Sequence, residues 1–247
     1  MIILPRTKPE TLYLHEAINN GYHCYITITS YLSFDELNAH LGNILCFDYH
    51  YGTEARQFYG YLTDVTELTH TNNAYRYRLT LVSSLDILAY DYRYHSFKQQ
   101  TVTQLITTIF DQHRFSQPLF KTNRANKKID YIVQYKETTF AFIRRLLLEQ
   151  QLCFYYHDSR LIITDSQHLQ QQSQCNLQLN PLKTVNHQLW HLKNSQCYAN
   201  YPHLQLGQYS QYGFITELKH YIDWQRHYYY QYVTFTKNTV APVPAKP

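Results

Sequence analysis

The sequence is poor in glycine and in charge, and both shortages close off large classes of function. Six glycines occur in 247 residues, and none is spaced as a phosphate-cradling P-loop, a dinucleotide fingerprint or a GxSxG nucleophile elbow requires. Charged residues make up 16% of the chain, and the 18 acidic ones are scattered. A hydrolase needs a nucleophile beside a base, or two carboxylates a few ångström apart. No such grouping is legible, so no catalytic or cofactor-binding residue is assigned. Glu10, Glu16, Asp35 and Glu36 stand near strand or helix starts, where capping or solvent-facing roles are expected. Cysteine is limited to Cys24, Cys46, Cys153, Cys175 and Cys197, an odd number with no CxxC, which fits reduced thiols in a protein that folds in the cytoplasm. Met1-Ile-Ile-Leu runs straight into Pro5, leaving no apolar core for a signal peptide. No apolar run approaches the roughly 20 residues of a membrane helix.

What the chain has instead is aromatic surface: 26 tyrosines, with apolar residues at 44%. Few charges and many aromatics suit folded β structure built for contact. The formal charge of +4 is mild, and the 14 histidines add to it only in acid. Tyr22–Tyr31 sets Tyr25, Thr27 and Thr29 against Ile26, Ile28 and Ser30, the alternation of a half-buried strand. Ser33 and Glu36 form a capping box for a short helix carrying Leu37 and Leu41, stopped by Gly42. Residues 44–51, 56–68 and 75–82 read as further strands, so a barrel or strongly bent sheet is expected. Thr101 and Gln104 form a second capping box, and Val102, Leu105, Ile106, Ile109 and Phe110 share one helical face. Residues 114–130, with Arg114, Lys121, Arg124, Lys127 and Lys128, read as an exposed loop.

The densest pattern lies at 131–165. Tyr131–Tyr135 is a short β-rich run, and Thr138 is placed to cap a helix. Phe140, Phe142, Ile143, Leu146 and Leu147 fall on one arc of that helix, opposite Arg144, Arg145 and Glu149. The runs 152–156 and 161–164 then form a hairpin about His157-Asp158-Ser159. The string VQYKETTFAFIRRLLLEQQLCFYYHD, followed by LIITDS, resembles the signature of the VgrG proteins of type VI secretion and of the baseplate hubs of contractile phage tails. Its structural residues here are Tyr135, Glu137, Thr138, Phe142, Arg145, Leu146 and Leu147. Gln151 stands where that family has a helix-ending glycine; because Gln tolerates the left-handed conformation poorly, a differently built helix end is expected. EAINNGYHCYITITS (16–30), DELNAHLGN (35–43), FYGYLTDVTEL (58–68), YRLTLVSSLDIL (77–88) and FKQQTVTQLITTIF (97–110) are similar to further family segments, and GFITELKHYIDWQRHYYYQYVTF (213–235) to a later one.

The resemblance implies a mixed, β-rich α+β fold: two tube-type β-barrel domains with an α/β domain inserted between them. Residues 1–92 would form the first, 93–166 the insertion, 167–174 a Gln-rich linker, and 175–240 a shortened second tube domain, with 241–247 a Pro-rich tail. It further implies a non-enzymatic hub, three copies of which form a ring of six similar units. Such a ring would meet a hexameric tail-tube or Hcp-like protein on one side and a spike on the other, among other baseplate proteins. Because the sequence ends where fused relatives continue into an oligosaccharide-binding-type barrel, the spike is expected as a separate protein. Assembly would begin in the cytoplasm and end at a baseplate or at a secreted or virion tip, with no membrane insertion. Nucleic acid would enter only by passing through the lumen.

Other readings of single features stay open. His187 and His191 are four apart, as two helical metal ligands would be, but no HExxH glutamate accompanies them and Trp190 favours packing; no metal site is assigned. His23, His50, His95, His157 and His227 are read as hydrogen-bonding groups at strand edges. Tyr228, Tyr230 and Tyr232 form either a stacking platform for sugar or single-stranded nucleic acid, or one face of a strand at a subunit boundary. A carbohydrate- or effector-binding adaptor and a tail-associated cell-wall hydrolase are the two rival functions.

Overall fold

The largest sheet is organised around its first strand, β1 (Thr7–Ala17), which pairs with β2 (Tyr22–Ser30) on one side and with the distant β13 (Gly213–Asp223) on the other. The structure is a computed structural model and describes residues 4–51, 54–71, 74–122, 124–165, 196–199, 204–210, 213–226 and 228–236. The other elements are α1 (Phe34–Asn38), β3 (Ile44–Tyr51), β4 (Glu54–Thr71), β5 (Ala74–Val82), α2 (Ser84–Ile87), β6 (Tyr92–Thr101), α3 (Val102–Gln112), β7 (Leu119–Lys121), β8 (Lys128–Thr138), α4 (Thr139–Glu149), β9 (Leu152–His157), β10 (Arg160–Asp165), β11 (Gln196–Ala199), β12 (Tyr209–Ser210) and β14 (Tyr228–Thr236). The order of the large sheet is β11-β14-β13-β1-β2-β5-β4-β3, with β12 attached to β13. Residues from both ends of the chain therefore share one sheet. The linker 167–174, His187, His191, Cys175, His227 and the tail 241–247 lie outside the described residues.

Alternation sets the faces of this sheet. Leu12, Leu14, Cys24, Ile26, Ile28, Tyr77, Leu79 and Leu81 point into the core, while Tyr13, Tyr25, Thr27, Arg76 and Arg78 point away. The core is closed by α3 and α4. Both capping boxes form, at Ser33 with Glu36 and at Thr101 with Gln104, and a third joins Ser83 to Asp86. In α4, Phe142, Ile143, Leu146 and Leu147 are buried and Leu148 is exposed.

In the small sheet β7-β10-β9, the strands β9 and β10 are buried on both faces. Phe154, Tyr156, Leu161 and Ile163 join the cluster under the helices, whereas Cys153, Tyr155 and Ile162 join a second cluster with Leu206, Phe214, Leu218 and Val233. Continuous apolar runs such as LCFYY follow from this position. The hairpin turn has both Asp158 and Ser159 in the left-handed region, the requirement of a tight two-residue turn.

Four sequence readings are corrected. Residues 114–130 are not simply an exposed loop: Leu119–Lys121 is a strand parallel to β10, Ala125 is buried, and β8 already begins at Lys128. The helix end at Gln151 is not built differently, since Gln151 adopts φ +56° and its amide donates to the Leu148 carbonyl at 3.0 Å. The Arg124 guanidinium donates to the Gln151 side chain at 3.1 Å and helps hold a conformation that favours glycine. Leu41 lies past the end of α1 and is exposed. Glu10 and Glu16 are neither capping nor solvated; both are buried, Glu10 against the Arg76 guanidinium and Glu16 against the His220 ring.

Candidate functional site

The signature residues form a brace between β8 and α4. Thr138 ends the strand and caps the helix, its hydroxyl accepting the Ala141 amide at 3.2 Å. Arg145, two turns on, reaches back to Glu137, with Nη2 at 2.6 Å and Nε at 3.3 Å from its two carboxylate oxygens. The same guanidinium donates to the Val133 carbonyl and to Glu149. These hydrogen bonds, chiefly those of Glu137, outweigh partial burial and raise the Arg145 pKa above its ordinary value. Phe142 lies under this brace, stacked on Phe97 of β6 at 5.5 Å. Leu146 and Leu147 point into the core, and Tyr135 points out to solvent. The seven residues are thus one structural unit with an exposed aromatic at its edge.

Tyr230 and Tyr232 share the face of β14 that looks away from the core, while Gln231 between them and Tyr229 before them are buried. Tyr228 is placed by its backbone opposite Asp223. Strand register extends this face into a row that the sequence reading missed. Tyr230 lies opposite Tyr221, Tyr221 opposite Tyr13, and Tyr13 opposite Tyr25, on four adjacent strands. Ring centroids are 5.1 Å apart in the first pair and 6.3 Å in the last. The signal was present only as tyrosine on the outward phase of four separate strands. Beside the row, Glu217 accepts hydrogen bonds from Thr234 and contacts Lys219 and His15. Burial alone would raise its pKa, but these partners outweigh it and hold the carboxyl below the ordinary range.

The buried polar groups serve the joints between strands. Glu16 and His220 lie 3.1 Å apart with almost no exposure, and His220 also meets Tyr229 and Gln231. Glu10 occupies a bulge in β1, which turns it toward Thr29 and Arg76, 2.7 Å away. Asp86 lies beneath Gly21, its pKa raised by burial against the lowering bonds from Ser83. A shallow recess between α3, β6 and β8 gathers Asp91, Arg93, His113 and Thr139. Every one of these carboxylates is engaged by its neighbours, and among the described residues no three His, Cys, Asp or Glu side chains converge as a metal site. Burial raises the thiol pKa of Cys24 well above its usual value and that of Cys153 to about 12, which suits packing and not nucleophilic chemistry. No helix among the described residues is long and apolar enough to cross a membrane.

Comparison with known proteins agrees with this picture of strands and braces. Over 86 residues the chain is 31% identical to the type VI secretion system spike protein VgrG4b of Pseudomonas aeruginosa, a match covering 34% of this chain and 11% of that protein. It is 30% identical over 94 residues to the spike protein VgrG3 of Vibrio cholerae, covering 36% and 9%. The matches thus span about a tenth of these relatives' length. In fold it is similar to the E. coli c3393 protein, a component of the type VI secretion system, with a TM-score of 0.75 at 17% identity over 97% of this chain and 76% of that one. It is also similar to the 43 kDa tail protein of prophage MuSo2 from Shewanella oneidensis, with a TM-score of 0.61 at 10% identity over 96% and 99%. The family model of the phage tail baseplate hub (GPD) matches residues 15–201, three quarters of the sequence, and the chain belongs to that family.

Proposed function

We propose that this protein is a non-enzymatic structural hub of a contractile injection machine, forming a threefold ring that adapts a hexameric tube to a trimeric spike. One observation carries the reading: among the described residues, the large sheet ends in β3 on one side and β11 on the other, each paired on one edge only. Two different open edges suit head-to-tail association, which closes into a ring when the rotation permits. Eight strands in sequence, at about 4.8 Å each, span roughly 38 Å, so three copies would enclose a bore on the order of 37 Å between backbones. A layer of helices about 10 Å thick on the inside would choke such a bore. The tyrosine row therefore faces inward and the helices outward. Each copy would supply two tube-type units, about residues 1–92 and 175–240, joined through β1 and β13, with 93–166 as the α/β insertion. The partners are a tube ring, a spike with an oligosaccharide-binding-type fold, and neighbouring baseplate proteins.

Sedimentation of the protein alone, and then with candidate tube and spike proteins, tests this. A trimer in either condition is expected. A monomer that persists with both partners present would overturn the ring.

A further inference from the structure

The two-stranded ribbon β6–β8 stands apart from the large sheet, and its outward face is aromatic. In β6, Phe97 is the one buried residue of ten. Tyr92, Tyr94, Tyr131 and Tyr135 are each between 55 and 62% exposed, although aromatic rings of this size usually find cover. Their grouping is imposed by the backbone. His95 lies opposite Gln134 and Arg93 opposite Glu137, so Tyr135 and Lys136 together oppose Tyr94 in a bulge. Lys136 adopts φ +49°, a left-handed conformation unfavourable for lysine. Bulges of this kind re-aim side chains, and here Tyr94 meets Tyr135 at 5.6 Å and Tyr92 at 6.1 Å. Lys136 lies over Tyr135 and Lys98 over Tyr131.

Cations outnumber acids around these rings, with Lys98, Lys128 and Lys136 against Asp130, while Glu137 is offset by Arg145. Among the described residues Lys98, Lys128 and Lys136 make no ion pair with an acidic group. The ribbon's acids are already engaged: Glu137 by Arg145 and Asp130 by the Gln99 amide. Tyr92–Lys98 also runs as unbroken strand, and among the described residues its edge away from β8 has no partner. The outer edge of β8, by contrast, is interrupted by its bulge.

We propose that this face docks an acidic, extended protein segment, which adds as a strand along β6 and lays its carboxylates against Lys98 and Lys136. An open strand edge offers backbone hydrogen bonds that only another polypeptide backbone matches in register. The rings supply the rigid contact area typical of interface hot spots. Single-stranded nucleic acid would also suit cations and aromatics, but base stacking needs open, roughly parallel ring faces. Here the rings meet edge to face, at 70° and 79°. The ribbon lies outside the sheet that builds the proposed ring, so the proposal stands independently of that assembly.

A random 12-residue peptide library, displayed on phage and panned on the whole protein, tests it. The selected peptides are expected to be enriched in Asp and Glu, and a synthetic copy of the best one should bind at least tenfold more weakly to a Tyr94→Ala/Tyr135→Ala variant. A Lys98→Gln/Lys136→Gln variant should lose both affinity and most of its salt dependence. All four side chains are exposed, and an unchanged melting curve verifies that both variants fold. Backbone N-methylation of alternate residues in that peptide should abolish binding if a strand is added. The proposal is overturned if selection shows no acidic enrichment, if the same peptides bind the tyrosine variant equally well, or if a 15-nucleotide oligo-dT binds the ribbon more tightly than any selected peptide. Protection of the four tyrosines from iodination in the unliganded trimer would also overturn it, by assigning the face to another copy of the chain.

Discussion

Arg145 on α4 grips both carboxylate oxygens of Glu137 at the end of β8, at 2.6 and 3.3 Å. The pair sits immediately after the bulge that turns Tyr135 outward, so the brace that orients helix against strand also secures the exposed ribbon. A lysine in its place would keep the charge but lose the planar two-point grip and the bond to the Val133 carbonyl. Arg145→Lys is expected to cost about 1–2 kcal/mol, the lower part of the range for charged hydrogen bonds because the guanidinium is partly exposed. A double-mutant cycle with Glu137→Gln, read by urea denaturation, should return most of that as coupling. Additive single effects would show that the two residues act separately.

Leu146 is fully buried on the face of α4 that meets the central core. Leu146→Ala removes that volume where helix and sheet leave little room to collapse, and is expected to cost about 2–5 kcal/mol. Leu148→Ala, on the exposed side of the same helix, is the control and should change the denaturation midpoint little. Equal midpoints for the two variants would contradict the assigned faces.

Gly21 has no room for a side chain. A Cβ there would stand 2.0 Å from a carboxylate oxygen of Asp86. That carboxylate accepts the Ser83 amide at 3.2 Å and its hydroxyl at 2.6 Å, closing the capping box of α2. Gly21→Ala is therefore expected to lower stability by about 1–3 kcal/mol through overpacking. Adding Asp86→Ala should recover part of the loss, because it removes the clash along with the cap. A double variant less stable than the sum of the singles would refute this account.

The depressed pKa of Glu217 makes a pH prediction. Its charged form is favoured in the folded state by Thr234, Lys219 and His15. A carboxyl with a lowered folded pKa binds fewer protons folded than unfolded, so its contribution is complete above the unfolded pKa and is lost as pH falls through the folded one. Urea midpoints should decline from the ordinary carboxylate range downward, and Glu217→Gln should flatten part of that decline. An identical acid profile for the variant would remove Glu217 from the explanation.

Much of this molecule is local and legible. Capping boxes at Ser33 and Thr101, the buried arc Phe142–Leu147, and the alternation in β2 and β5 depend on neighbours within a few residues. Periodicity and hydrogen-bonding chemistry report such short-range preferences directly. The family likewise was readable, because its signature is one brace whose residues lie within 15 positions of sequence.

The rest was decided by partners far along the chain. Glu16 reads as a surface acid and breaks the apolar alternation of β1, yet it is buried because His220, 204 residues later, meets it from the neighbouring β13. Leu119–Lys121 has no strand pattern of its own and becomes one by lying beside β10. Gln151 takes a glycine's conformation with Arg124 alongside it. The tyrosine row and the exposed ribbon cluster exist only once register is set, for register decides which side chains become neighbours. Sequence by itself determined the helices at Phe34–Asn38, Val102–Gln112 and Thr139–Glu149, most strands and the family, since these follow from contacts close in the chain. Only the tertiary structure decided which tyrosines meet, which acids are buried and which strand edges stay open, because each depends on pairing between segments whose spacing in sequence carries no information about their spacing in space.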